Sequence, residues 1–142
     1  MPRYLIVANR TLAGPQVVAE AAKRIAVADG HCEFHLLVPA THSHAAWSEG
    51  VALAQARTNL GRGLERLREA GIEAGGEVGD EDPILAVGDV LRREQSRPFD
   101  GIILSTLAPG ASRWLKRDLP HRLAQRYQLP VIHLVAEPEH AH

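Results

Sequence analysis

Five short segments of strand character alternate with stretches of helical length, and this alternation limits the folds open to the chain more than any other feature. Tyr4 to Ala8 (YLIVA), Cys32 to Val38 (CEFHLLV), Gly101 to Leu104 (GIIL) and Val131 to Val135 (VIHLV) have apolar residues in near-continuous runs. Such runs suit strands covered on both faces, at the centre of a parallel sheet. Ile72 to Val78 is weaker because Gly75 and Gly76 interrupt it, which places it at a sheet edge. Parallel neighbours must be joined by crossovers of a dozen or more residues, and the order β-α-β-α-β-α-β-α-β provides one between each pair. The expected fold class is therefore α/β, a three-layer α/β/α sandwich around a five-stranded parallel sheet. At 142 residues with 45% apolar composition, a single domain spanning 1–142 is expected.

The connecting segments carry helix signals of their own. Gly14-Pro15 opens a pattern in which Val17, Ala21 and Ile25 recur every fourth residue, predicting a helix from Pro15 to Ala28. Leu53, Ala56, Leu60, Leu64 and Leu67 line one face of a second helix that begins near Glu49 and stops at Gly71. Gly61 and Gly63 weaken that helix, so close packing against a neighbour is expected there. Asp82-Pro83 predicts an N-cap followed by proline in the first turn, with Ile84, Val87, Val90 and Leu91 facing inward. A last helix reaches Gln128 with Pro120 near its first turn, and residues 136–142 read as a flexible tail.

Charge and cysteine content exclude several partner classes. Sixteen Lys and Arg against seventeen Asp and Glu give a formal net charge of −1, so no broad field recruits nucleic acid or an anionic membrane. Arg113, Lys116, Arg117, Arg122 and Arg126 gather locally, as a solvated helix face or as an anion site. Cys32 is the only cysteine, which rules out an internal disulfide and points to a reducing, cytoplasmic location. No apolar run approaches the ~20 residues of a membrane span.

Candidate chemistry is sparse. His42 and His44 could chelate, but no third ligand follows at a recognised spacing, so no metal site is expected. Asp80, Glu81 and Asp82 are explained by capping and exposure. Ser105, Thr106 and Ser112 lie in no nucleophile elbow, and no enzyme activity is expected, with slow nucleotide hydrolysis left open. In open α/β sheets, ligands bind beyond the carboxyl ends of the strands. That rule directs attention to the loop after Leu104, where Ser105, Thr106, Gly110, Ser112 and Arg113 offer hydroxyls, backbone N–H groups and a guanidinium to an anion. Ser112 serves equally well as a plain helix cap for the segment that begins at Arg113.

Taken together, the opening YLIVANRT, the phrase HLLVPA, the stretch VGDEDPILAVGDVLRRE ahead of FDGIILS, and the closing LPVIHLV resemble the universal stress protein family from Tyr4 to Val135. The resemblance implies a Rossmann-like sheet in order 3-2-1-4-5, of the adenine nucleotide alpha hydrolase-like kind. It also implies a ligand crevice between strands one and four, formed by Ala8, Asn9, Thr11, Val38, Ala40, Ser105, Thr106, Gly110, Ser112 and Arg113. ATP or another adenine nucleotide is the implied ligand, with the backbone at Val38 and Ala40 meeting the base. Homodimerisation through strand five is the implied assembly. The family's ATP-binding members carry a glycine-rich motif that this chain lacks: Ser105, Ala108 and Asp118 stand where its glycines would be, and Leu119 where its hydroxyl would be. Asn9 replaces the usual acidic residue at the end of strand one. Two functions are thus weighed. One is a regulatory protein that binds a nucleotide or phosphate-containing ligand through a non-standard loop; the other is a dimeric interaction protein with a closed crevice. Trp114 discriminates between them, since it can line the crevice or fill it.

Overall fold

A computed structural model describes residues 1–12, 14–41, 49–107 and 113–136, apart from the side chains at 49, 113 and 116. The elements run β1 (Arg3–Val7), α1 (Pro15–Val27), β2 (Glu33–Pro39), α2 (Glu49–Glu69), β3 (Gly75–Gly79), α3 (Pro83–Arg93), β4 (Gly101–Thr106), α4 (Arg113–Lys116), α5 (Leu119–Tyr127) and β5 (Val131–Val135). All strand pairs are parallel, and the sheet order is β3-β2-β1-β4-β5, as the resemblance implies.

The alternation of side chains along each strand divides the core in two. Leu5, Val7, Leu37, Ile102 and Leu104 face one layer and pack with Val87, Val90, Leu119 and Leu123 of α3 and α5. Ile6, Ala8, Leu36, Val38 and Ile103 face the other and pack with Val17 and Ala21 of α1 and Ala56 and Leu67 of α2. β4, the second half of β1 and the second half of β2 are buried on both faces, which is why these stretches show no polar alternation.

Local signals explain most of the boundaries. Asp82 caps α3, its Oδ1 accepting from the Ile84 N–H at 2.9 Å, with Pro83 in the first turn. α2 ends at Gly71, whose φ of +78° is left-handed. There the Ile72 N–H reaches the Leu67 carbonyl (2.8 Å) and the Gly71 N–H reaches that of Arg68 (2.9 Å). This is the paired bonding of a Schellman stop, in which the residue after the glycine packs back on the helix. It corrects the start of the third strand: Ile72 is apolar because it seals the end of α2, at 7% exposure, and β3 begins only at Gly75.

β4 is also longer than the apolar run suggests. Ser105 and Thr106 are its last two residues, paired with Leu134 and Val135 of β5, so they belong to the strand and not to the loop beyond it. The expected packing role of the glycines in α2 holds for one of the two. A Cβ on Gly63 would lie 2.4 Å from Leu12 Cγ, whereas one on Gly61 would meet nothing within 4 Å. The segment after β4 contains a short turn of helix, α4, before α5. The break falls at Asp118, which holds φ +54°, a left-handed conformation that costs a non-glycine residue roughly 1 kcal/mol.

Candidate functional site

The switch in strand order puts the carboxyl ends of β1 and β4 side by side, where adjacent crossovers leave in opposite directions. The exit of β1 is short and tied down. The Leu12 N–H bonds the Asn9 carbonyl (3.4 Å), and the Gly14 N–H bonds that of Thr11 (2.9 Å). Leu12, 1% exposed, drives this loop into the apolar layer against α2 at Gly63. Thr11 is thereby turned toward β4, and its Oγ1 lies 2.7 Å from Ser105 Oγ. Gln16, from the first turn of α1, donates its Nε2 to the same Ser105 oxygen at 3.4 Å. Arg10, beside them on the loop, is exposed.

Asn9 makes a second junction. Its Nδ2 donates to the Pro39 carbonyl at the end of β2 (2.7 Å), and its Oδ1 accepts from Asn59 Nδ2 of α2 (2.7 Å). The β2 exit is engaged further: the Thr41 N–H also donates to the Pro39 carbonyl (2.8 Å), and the Ala40 N–H donates to that of Gly79 (3.1 Å). The Thr41 hydroxyl reaches the Glu81 carbonyl at 3.1 Å.

The implied site residues therefore divide in a definite way. Ala8, Asn9, Thr11, Val38, Ala40, Ser105 and Thr106 do gather at the carboxyl ends of β1, β2 and β4. Ala8 and Val38 are fully buried, and Thr11, Ser105 and Thr106 are 7%, 1% and 2% exposed. Asn9, Ala40 and Gln16 form the partly exposed rim. Gly110 and Ser112 lie outside the described residues, and Arg113 is the first residue of α4. Thr106 points to the opposite face of the sheet from Ser105, and its Oγ1 lies 2.8 Å from His133 Nε2 of β5. Partial burial pushes the His133 imidazole below its ordinary pKa, toward the neutral form that accepts a hydrogen bond.

Trp114 is 9% exposed and packs with Leu104, Leu119 and Leu123 in the layer beneath α3 and α5. It is a core residue. Among the described residues no group of three or more His, Cys, Asp or Glu could hold a metal ion, and no helix is long and apolar enough to cross a membrane. A concavity of about 720 Å³ lies at the amino ends of the strands between Cys32, His35, Leu64 and Arg68, at the other end of the sheet from these residues.

Sequence reasoning missed Gln16, Asn59 and His133. Each sits on an element other than β1 and β4, and only the packing of α1, α2 and β5 brings it in. For Gln16 a signal existed, since it lies in the first turn of the helix that leaves the switch point.

Solved structures with the same fold include a universal stress protein from Archaeoglobus fulgidus, with a TM-score of 0.62 and 13% identity over 94% of this chain and 93% of that one. The universal stress protein from the same organism in complex with dAMP gives 0.61 and 12% over 94% and 96%. A universal stress protein in complex with cAMP gives 0.60 and 13% over 96% and 98%. No protein-family model and no curated protein matches the sequence. The chain thus has the universal stress protein fold, at low sequence identity to the proteins that share it.

Proposed function

We propose that this chain is a regulatory binding protein, not an enzyme, that holds a nucleotide or other phosphate-containing ligand in the crevice between β1 and β4. The observation that supports this reading is the convergence of Asn9, Thr11, Gln16 and Ser105 on adjacent strand ends, in a fold whose solved neighbours include complexes with dAMP and cAMP. Polar rim groups such as Gln16 and Asn9 orient a ligand there. An adenine nucleotide such as ATP is the first ligand to try. Thr106, whose hydroxyl lies beside the His133 imidazole, is 2% exposed and out of reach of a substrate, which fits a non-enzymatic role. β5 ends the sheet on one side, with Val135 42% exposed, and pairing of two copies along that edge is the assembly proposed.

A second reading, an interaction protein with a closed crevice, is favoured by the direct Thr11–Ser105 bond and by Trp114 lying in the core. Titration calorimetry with ATP, ADP, AMP and cAMP, with and without Mg²⁺, separates the two. Saturable heat with any of them supports the first reading. No heat with all four overturns it in favour of the second. Light scattering at micromolar concentration tests the β5 pairing, which a monomer contradicts.

A further inference from the structure

The hydrogen-bond inventory at the end of β2 bears on what kind of ligand the crevice distinguishes. Nucleobases are told apart by donors and acceptors placed against their edges, and a ring nitrogen such as that of adenine needs an N–H to meet it. Between Pro39 and Thr41 no such N–H is on offer. Proline has none; the Ala40 N–H is given to Gly79 and the Thr41 N–H to Pro39. The Pro39 carbonyl, the natural acceptor for a base amino group, already receives two hydrogen bonds, from Thr41 N–H and from Asn9 Nδ2. A carbonyl oxygen has two lone pairs, so its capacity is filled. Stacking gains nothing either, because Ala8 and Val38 are both 0% exposed.

Asn59 makes this arrangement definite. An asparagine amide can face either way, and its orientation is decided by its partners. The Pro39 carbonyl can only accept, so the NH₂ end of Asn9 faces it and leaves Oδ1 to accept from the Asn59 NH₂. The flipped amide would set two N–H donors against each other at Asn59 and two oxygens against each other at Pro39.

We propose that the strand-two exit is closed to base recognition by its own hydrogen bonds, with Asn59 as the positioning residue that latches Asn9 onto Pro39. The ligand is then selected as a phosphorylated compound, with indifference to its base. This rests on the ligand-binding reading of the crevice given above. Asn59→Asp, which keeps the shape and leaves only acceptors opposite Asn9, draws the Asn9 NH₂ onto the carboxylate; the Asn9 oxygen, repelled by the Pro39 carbonyl, swings clear and leaves that carbonyl open to an amino-bearing base. Asn9→Ala frees it by deletion.

Calorimetric titration of the full chain with ATP and UTP tests the inference, since adenine carries an amino group and uracil does not. The expected result is a wild-type affinity ratio within fivefold and a ratio above fivefold in favour of ATP for both variants, each first shown to unfold cooperatively in urea. A wild-type preference for ATP above fivefold overturns the inference while leaving the ligand-binding reading intact, as does a ratio that neither variant changes. Absence of heat with both triphosphates overturns the inference, and the ligand-binding reading falls with it only when ADP, AMP and cAMP give no heat either.

Discussion

Two glycines two residues apart in α2 should respond to the same substitution with opposite sign. Gly61→Ala and Gly63→Ala each gain about 1 kcal/mol of helix propensity. At Gly61 nothing lies within 4 Å of the new methyl, so the whole gain is kept. For a domain of this size that raises Tm by about 3–4 °C. At Gly63 the new Cβ would lie 2.4 Å from Leu12 Cγ and 2.5 Å from its Cδ2. Leu12 is 1% exposed and packed among Ile6, Val17 and Ala21, so it cannot swing clear. Overpacking of this kind costs about 1–3 kcal/mol, and a contact this short belongs in the upper half of that range. The net effect is a loss of about 1–2 kcal/mol, which leaves the two variants about 2–3 kcal/mol apart. Urea unfolding followed by circular dichroism, with equal m-values, measures both. Leu12→Ala in the Gly63→Ala background should recover the overpacking part in a double-mutant cycle. If Gly63→Ala stabilises as much as Gly61→Ala, Leu12 does not pin the β1 exit against α2, and the account of how Thr11 is aimed at Ser105 fails with it.

Further outcomes follow from the same contacts. Ser105→Ala should cost about 1–3 kcal/mol in urea unfolding, because it strands the buried Thr11 hydroxyl, whereas Thr11→Val combined with Ser105→Ala should cost clearly less than that single change; equal or greater loss in the double variant contradicts the pairing. Trp114→Ala should lower stability by about 3 kcal/mol, as a core truncation does, and a variant that unfolds like wild type would place the indole outside the core. Burial alone would raise the Glu77 carboxyl, but hydrogen bonds from Arg93 and His35 outweigh it and hold the group below its ordinary value. A carboxylate depressed in the folded state contributes stability that is present above its unfolded pKa of about 4.3 and is lost as pH falls through the folded value. Stability measured against pH should therefore fall less steeply below about pH 4.3 in Glu77→Gln than in wild type, and parallel curves would refute the assignment.

The fold was legible because its signals are local and agree with one another. Continuous apolar runs mark β1 and β4, Asp82-Pro83 marks the start of α3, and the helical crossovers force parallel pairing. Where the reading missed, a tertiary contact had set the residue type. Ile72 has strand character but serves a helix stop, and Ser105 and Thr106 look like loop residues but are held in β4 by pairing with β5. Of the site, the strand ends were readable from the switch-point rule and the resemblance. Asn59 and Gln16 were not, since only the docking of α2 and α1 brings them to Asn9 and Ser105, 50 and 89 residues away in sequence.

The most direct test of ligand binding at the β1/β4 crevice is an amide NMR titration of the ¹⁵N-labelled chain with ATP and AMP. Binding at this site should shift the signals of Asn9, Thr11, Gln16, Ala40 and Ser105 in a saturable, concentration-dependent way while the amino ends of the strands stay unmoved. Unmoved crevice signals at millimolar nucleotide, or shifts confined to the concavity near Cys32 and Arg68, would contradict it.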